Sequence, residues 1–171
     1  MIMDFQGKRP QYDSTVFIAG NATVIGDVEI GSQSNIWFYS LLRGDVNAIR
    51  IGERCSIQDG CILHVASERF PLLLEADVVL GHRATVHGCR IGRGSMIGIG
   101  ASVLNGAVVG EEALVGAGAV VSPGTIIPPR VLALGIPAKP FRDLMETDLA
   151  MIRRIGDRYL QLMTVYKQMQ T

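Results

Sequence analysis

The chain has 171 residues, with 16 basic and 16 acidic side chains, 48% hydrophobic content, 20 glycines and three cysteines. That length allows one domain with a continuous core, and the balanced charge, free of long single-sign runs, argues against a nucleic-acid or anionic-membrane partner. The odd cysteine count argues against a disulfide framework and fits a reducing cytoplasm.

In chain order, the start from Met1 to Lys8 lacks the charged-then-apolar layout of a secretory signal. No stretch approaches the roughly 18 to 20 apolar residues needed to span a bilayer, so a cytoplasmic protein is expected. A six-residue repeat then takes over. Ile18, Val24, Ile30, Ile36 and Leu42 recur at intervals of six; after a slip, Ile51, Ile57 and Leu63 resume. Beyond an irregular stretch come Leu74, Leu80 and Val86, and then an unbroken run from Ile91 through Ile97, Val103, Val109, Val115 and Val121 to Ile127. Four places after most of these sits a small residue, such as Ala22, Ser34, Cys55, Cys61, Ala84 or Ala101. A glycine often follows the aliphatic directly, as at Gly31, Gly52, Gly92, Gly98, Gly110 and Gly116.

A hexad of this kind predicts a three-sided prism. Each hexad supplies a short strand and a corner, and both the aliphatic and the small residue point into a narrow interior. Successive coils stack as parallel strands about 4.8 Å apart. The glycines are expected to serve the tight corners, through backbone angles closed to other residues. The pattern resembles the hexapeptide left-handed β-helix. The hand rests on that resemblance, since ordinary parallel crossovers are right-handed. The expected architecture is therefore mainly β, with a single-stranded left-handed parallel β-helix over residues 1–140 and a C-terminal α-helix within 141–171 packed on it. Pro137 and Pro140 close the repeats. The stripe Leu144, Leu149, Ile152, Ile155, Tyr159, Leu162 and Tyr166 predicts a helix from about Arg142 to Gln168. Its apolar face is expected to pack along the prism, with some contact to a neighbouring subunit.

The three histidines fall on this repeat at informative places. His64 follows Leu63 and His87 follows Val86, and the hexads between them make one full coil once the residues around Ser67 to Pro71 bulge out as a loop. The two imidazoles then stack on adjacent coils of one face, close enough to share a metal through bonds of about 2.0 to 2.1 Å. His82, two places after Leu80, lies on a different face and reaches such a pair only on another subunit of a threefold assembly. The spacing thus predicts a homotrimer with three interfacial sites, each a three-histidine metal centre with an open, catalytic position. Cys55 and Cys61 occupy the inward small-residue slot, and all three cysteines, Cys89 included, are assigned to packing.

These residues resemble the γ-class carbonic anhydrases and their short-loop relatives. The resemblance runs from about Asn21 to Lys139. It is carried by Leu42-Arg43-Gly44-Asp45-Val46-Asn47, Ile57-Gln58-Asp59-Gly60, His64-Val65, Gly81-His82, Val86-His87-Gly88-Cys89 and Gly135-Ile136-Pro137-Ala138-Lys139. It implies zinc, or iron or cobalt, on His64, His82 and His87 across a subunit interface, with carbon dioxide and bicarbonate as substrates. By the same resemblance Arg43 and Asp45 tie neighbouring subunits together, Asp59 joins that network, and Gln58 hydrogen-bonds the attacking nucleophile and bicarbonate. Two features depart from the best-known active member. The acidic loop after the first histidine is short, with Glu68 beside Arg69 as the local stand-in for a glutamate proton shuttle. Tyr159 stands nearest the place of a helix asparagine. Both departures point toward weak carbon dioxide hydration.

Other functions share this prism. A hexapeptide acyltransferase using acetyl-coenzyme A needs one catalytic histidine, no metal and an extended acceptor loop, against which three clustered histidines and a short loop argue. A metal-dependent thioesterase at the same site and a non-catalytic metal-bound trimeric scaffold complete the alternatives.

Overall fold

The computed structural model describes residues 1–67 and 69–169. The chain winds into a left-handed parallel β-solenoid of about seven turns, followed by one helix, Glu146–Met169. Three ladders make its faces. The first stacks Ile62–His64, Thr85–His87, Ser102–Val103 and Val120–Val121 on the opening halves of two long strands, Thr23–Ile30 and Leu41–Ile51. The second stacks Leu72–Leu74, Arg90–Ile91, Val108–Val109 and Ile126–Ile127 on the closing halves of the same two strands. The third runs from Phe17–Ile18 through Asn35–Ile36, Ser56–Ile57, Val79–Leu80, Met96–Ile97 and Leu114–Val115 to Val131–Gly135.

Hexad residues form these ladders because every inward aliphatic lies over its counterpart one coil away. Leu42 pairs with Leu63, Leu63 with Val86 and Val86 with Val103, and all four are fully buried. Ile18 near the first coil and Thr125 near the last remain partly exposed. The slip between Leu42 and Ile51 is absorbed where Leu41–Ile51 crosses from the first face to the second as one strand. The extra residues after Leu63 leave the prism as a small loop closed by an antiparallel bridge between Ala66 and Phe70. Glu68, the local stand-in for a shuttle, lies outside the described residues.

The glycines divide between the expected purpose and a second one. Those directly after the aliphatic have ordinary backbone angles; what they supply is clearance. A Cβ at Gly52 would sit 2.6 Å from the Ala76 backbone nitrogen, and one at Gly110 would sit 2.4 Å from that of Pro129. The left-handed corner falls three residues after the aliphatic instead. Gly60, Gly94, Gly100, Gly106, Gly118 and Gly124 occupy it in six hexads. Gln33, Tyr39, Arg54, Asp77, Arg83, Glu112 and Arg130 occupy it elsewhere, with φ between 51° and 61°. Side chains at these corners are half-buried or exposed and pair along the stack, Arg54 with Asp77 and Glu112 with Arg130, at a backbone cost of about 1–2 kcal/mol each.

The helix begins at Glu146, later than the expected Arg142. Residues 138–143 are held first, as the strand Ala138–Asp143 turns back antiparallel on Val131–Gly135. Asp148 then fixes the helix start by accepting the Met145 amide at 2.8 Å and a two-pronged hydrogen bond from Arg142 at 2.7 and 3.1 Å. The helix lies on the third face. Leu149 and Ile152 pack with Met96, Leu114 and Leu132, while Tyr159 and Tyr166 close around Trp37 at centroid distances of 5.2 and 5.1 Å. Among the described residues no helix is long and apolar enough to cross a membrane.

Candidate metal centre

His64 and His87 end neighbouring strands and are register partners, as the coil count requires. Leu63 and Val86, buried beside them, pin both backbones. The rings stand 4.9 Å apart between centroids, and His64 Nδ1 lies 2.9 Å from His87 Nε2. Each ring is held by its other nitrogen. His64 Nε2 lies 3.0 Å from Asp45 Oδ1, and His87 Nδ1 lies 2.5 Å from Asn105 Oδ1. Carboxylate and amide oxygens only accept, so both anchored nitrogens carry their protons. With the anchored nitrogens donating, the two facing nitrogens present lone pairs toward one another, beside the Arg43 guanidinium. That donor chemistry fits a borderline-soft divalent metal of the zinc type.

Arg43 is the register partner of His64 one coil earlier. It forms an ion pair with Asp45 and places Nη2 3.5 Å from His64 Nδ1. Partial burial pushes the Asp45 carboxyl up, but hydrogen bonds from His64 and Arg43 outweigh it and hold the group below the ordinary carboxylate range.

His82 belongs to a second cluster, at the corner after Val79–Leu80. Its backbone amide donates to Gln58 Oε1 at 3.2 Å, its Nδ1 lies 3.0 Å from Asp59 Oδ2, and its Nε2 lies 3.3 Å from the Tyr159 hydroxyl. Burial, then the negative charge of Asp59, raises the Tyr159 pKa, so its hydroxyl keeps its proton. The fold thus gathers Arg43, Asp45, His64 and His87 in one group and Gln58, Asp59, His82 and Tyr159 in another. Among the described residues, no three His, Cys, Asp or Glu side chains of a single chain are arranged to hold one metal ion.

The cysteines are not donors in either group. Cys55, Cys61 and Cys89 are buried in the core and, among the described residues, join no three-residue metal cluster; burial pushes their thiols up to about 12. A cavity of about 370 Å³ under the helix, lined by Arg54, Asp77, Arg93, Leu149, Ile152 and Asp157 among others, shares no residue with the histidine clusters. Asn105 is the residue that sequence reasoning missed. It lies one coil of 18 residues beyond His87, so the register that paired the histidines would also have found it.

A model of the bacterial transferase hexapeptide, six repeats long, matches residues 88–129. A carbonic anhydrase from Geobacillus kaustophilus is 43% identical over 99% of this chain and 93% of its own. A protein from Bacillus subtilis named uncharacterized transferase YtoA is 54% identical over 99% of both chains. Among solved structures, a candidate acetyltransferase from Bacillus cereus superposes with a TM-score of 0.96 at 43% identity, covering 98% of this chain and 97% of that one.

Proposed function

Because the chain belongs to the γ-class carbonic-anhydrase-like family of hexapeptide-repeat proteins, we propose that it is a metal-dependent carbonic anhydrase interconverting carbon dioxide and bicarbonate. The observation that carries this reading is the in-register pair, two anchored imidazoles whose facing nitrogens stand 2.9 Å apart with, among the described residues of their own chain, no third His, Cys, Asp or Glu placed to complete a metal site. His64 and His87 of one subunit and His82 of the next would hold zinc, or iron or cobalt, in a homotrimer. The cation, when bound, supplies Lewis acidity that makes water nucleophilic near neutral pH.

The protein's own groups do the rest. Asp45 and Asp59 orient His64 and His82 through their second nitrogens. Arg43 balances the Asp45 charge. Gln58, its oxygen engaged by the His82 amide, has its amide nitrogen left to donate to a bicarbonate oxygen. The protonated Tyr159 hydroxyl supplies a second donor beside His82. With the acidic loop shortened, proton release limits turnover, so hydration is slow and quickens with buffer concentration. The buried free thiols support a reducing, cytoplasmic setting.

Complementation tests this. His87→Ala and His82→Ala proteins, each without a polyhistidine tag, should each lose metal. Mixed subunits should restore about a quarter of the sites by random trimer assembly, with carbon dioxide hydration returning in stopped flow. Wild-type metal content in His82→Ala, or no recovery on mixing, would end the proposal. A metal-free acyltransferase is the second reading, favoured by the transferase name of the Bacillus subtilis relative. It requires coenzyme A-dependent acyl transfer that survives complete chelation.

A further inference from the structure

His87 differs from the other two histidines in what holds it. Asp45 and Asp59 are carboxylates, whereas the partner of His87 is the neutral amide of Asn105, its Oδ1 2.5 Å from His87 Nδ1. The contact is built rather than incidental. His87 and Asn105 sit on adjacent coils, and each is followed by a glycine, Gly88 and Gly106. A Cβ at Gly88 would meet Phe70 Cβ at 2.8 Å and Asn105 Oδ1 at 2.9 Å, and one at Gly106 would meet the Phe70 ring at 2.9 Å. Phe70, at the end of the shortened loop, therefore folds over both glycines beside the His87–Asn105 hydrogen bond.

We propose that Asn105 is a positioning residue that locks His87 as the Nδ1–H tautomer, so that its Nε2 lone pair faces His64. A free imidazole favours the opposite tautomer, with the proton on Nε2, which would point an N–H at the cation. Second-sphere partners of this kind typically change metal affinity by about 10- to 100-fold. An amide supplies the geometry without adding a third negative charge to the centre.

The inference rests on the cation-binding reading, and two measurements keep their failures apart. In metal-free protein labelled with 15N-histidine, above the pH at which the imidazoles lose their second proton, His87 should be Nδ1–H in wild type. In Asn105→Leu it should shift toward Nε2–H. Zinc competition against a chelating dye should show Asn105→Leu weaker by about 10- to 100-fold, and Asn105→Asp, which keeps the acceptor, restored to wild-type tightness or better. Thermal melts confirm that both variants fold. If His87 keeps Nδ1–H in Asn105→Leu, or if zinc binds that variant as tightly as wild type, the role of Asn105 is refuted. If wild type binds no zinc while the tautomer shifts as expected, the cation-binding reading fails and the Asn105 lock stands.

Discussion

Replacing Gly110 and Gly156 by alanine, one at a time, should move stability in opposite directions. At Gly110 the added methyl would lie 2.4 Å from the Pro129 nitrogen and 2.8 Å from the Pro128 carbonyl carbon and Pro129 Cα, all of them backbone. Ordinary carbon contacts begin near 3.4 Å, so the next coil must withdraw by about 1 Å out of a strand spacing of about 4.8 Å. Backbone flanked by two prolines has no rotamer to change, and overpacking of this kind costs about 1–3 kcal/mol. At Gly156, inside the helix, the methyl would meet only Val79 Cγ2 at 3.7 Å, an ordinary contact. There alanine should gain about 1 kcal/mol from helix propensity. For a chain of this size each kcal/mol moves the melting temperature by about 2–4 °C. Differential scanning calorimetry at fixed protein concentration should therefore show Gly156→Ala up by about 2–4 °C and Gly110→Ala down by about 2–12 °C. Equal or higher stability of Gly110→Ala would refute the claim that these glycines exist for clearance between coils.

Acid should loosen the helix start through Asp148, whose carboxyl Arg142 and the Met145 amide lower from 3.8 to about 2. A depressed carboxyl stabilises above its unfolded value, so the contribution is intact above pH 3.8 and fades as pH falls through about 2. Hydrogen exchange at the Met145 amide should rise over that window in wild type. In Asp148→Asn it should be independent of the carboxyl, and identical profiles in the two proteins would contradict the assignment. The three thiols should resist a thiol-specific reagent at pH 8 while the fold holds and all react on denaturation, because burial pushes each up to about 12. Rapid labelling of any one in folded protein would show that it is not packed as described.

The register was legible because each aliphatic of a hexad meets its own kind one coil later, and that spacing pairs His64 with His87. The corner chemistry was not. A left-handed residue usually announces itself as glycine or asparagine, yet here Arg54, Asp77 and Arg83 take that conformation because the stack imposes it on them. Six glycines do stand at those corners, while the ones directly after the aliphatics report steric clearance. The helix start was misjudged at Arg142 because an apolar period cannot reveal that the preceding residues are already claimed by a hairpin. Asn105 carries no signal of its own because a neutral amide is not a metal-binding side chain, although the same 18-residue step leads to it from His87.

The hairpin that ends the last coil also sets how far the structure can grow. A parallel ladder leaves a row of unpaired backbone groups at its open end, a template on which another molecule could dock and extend a fibre. On the third face, Ala138–Asp143 doubles back across that end with the opposite strand direction. Pro140 then removes an N–H from the new outer edge. A molecule made of stackable rungs is in this way given a terminus, and shortening the chain before residue 138 should let copies polymerise end to end.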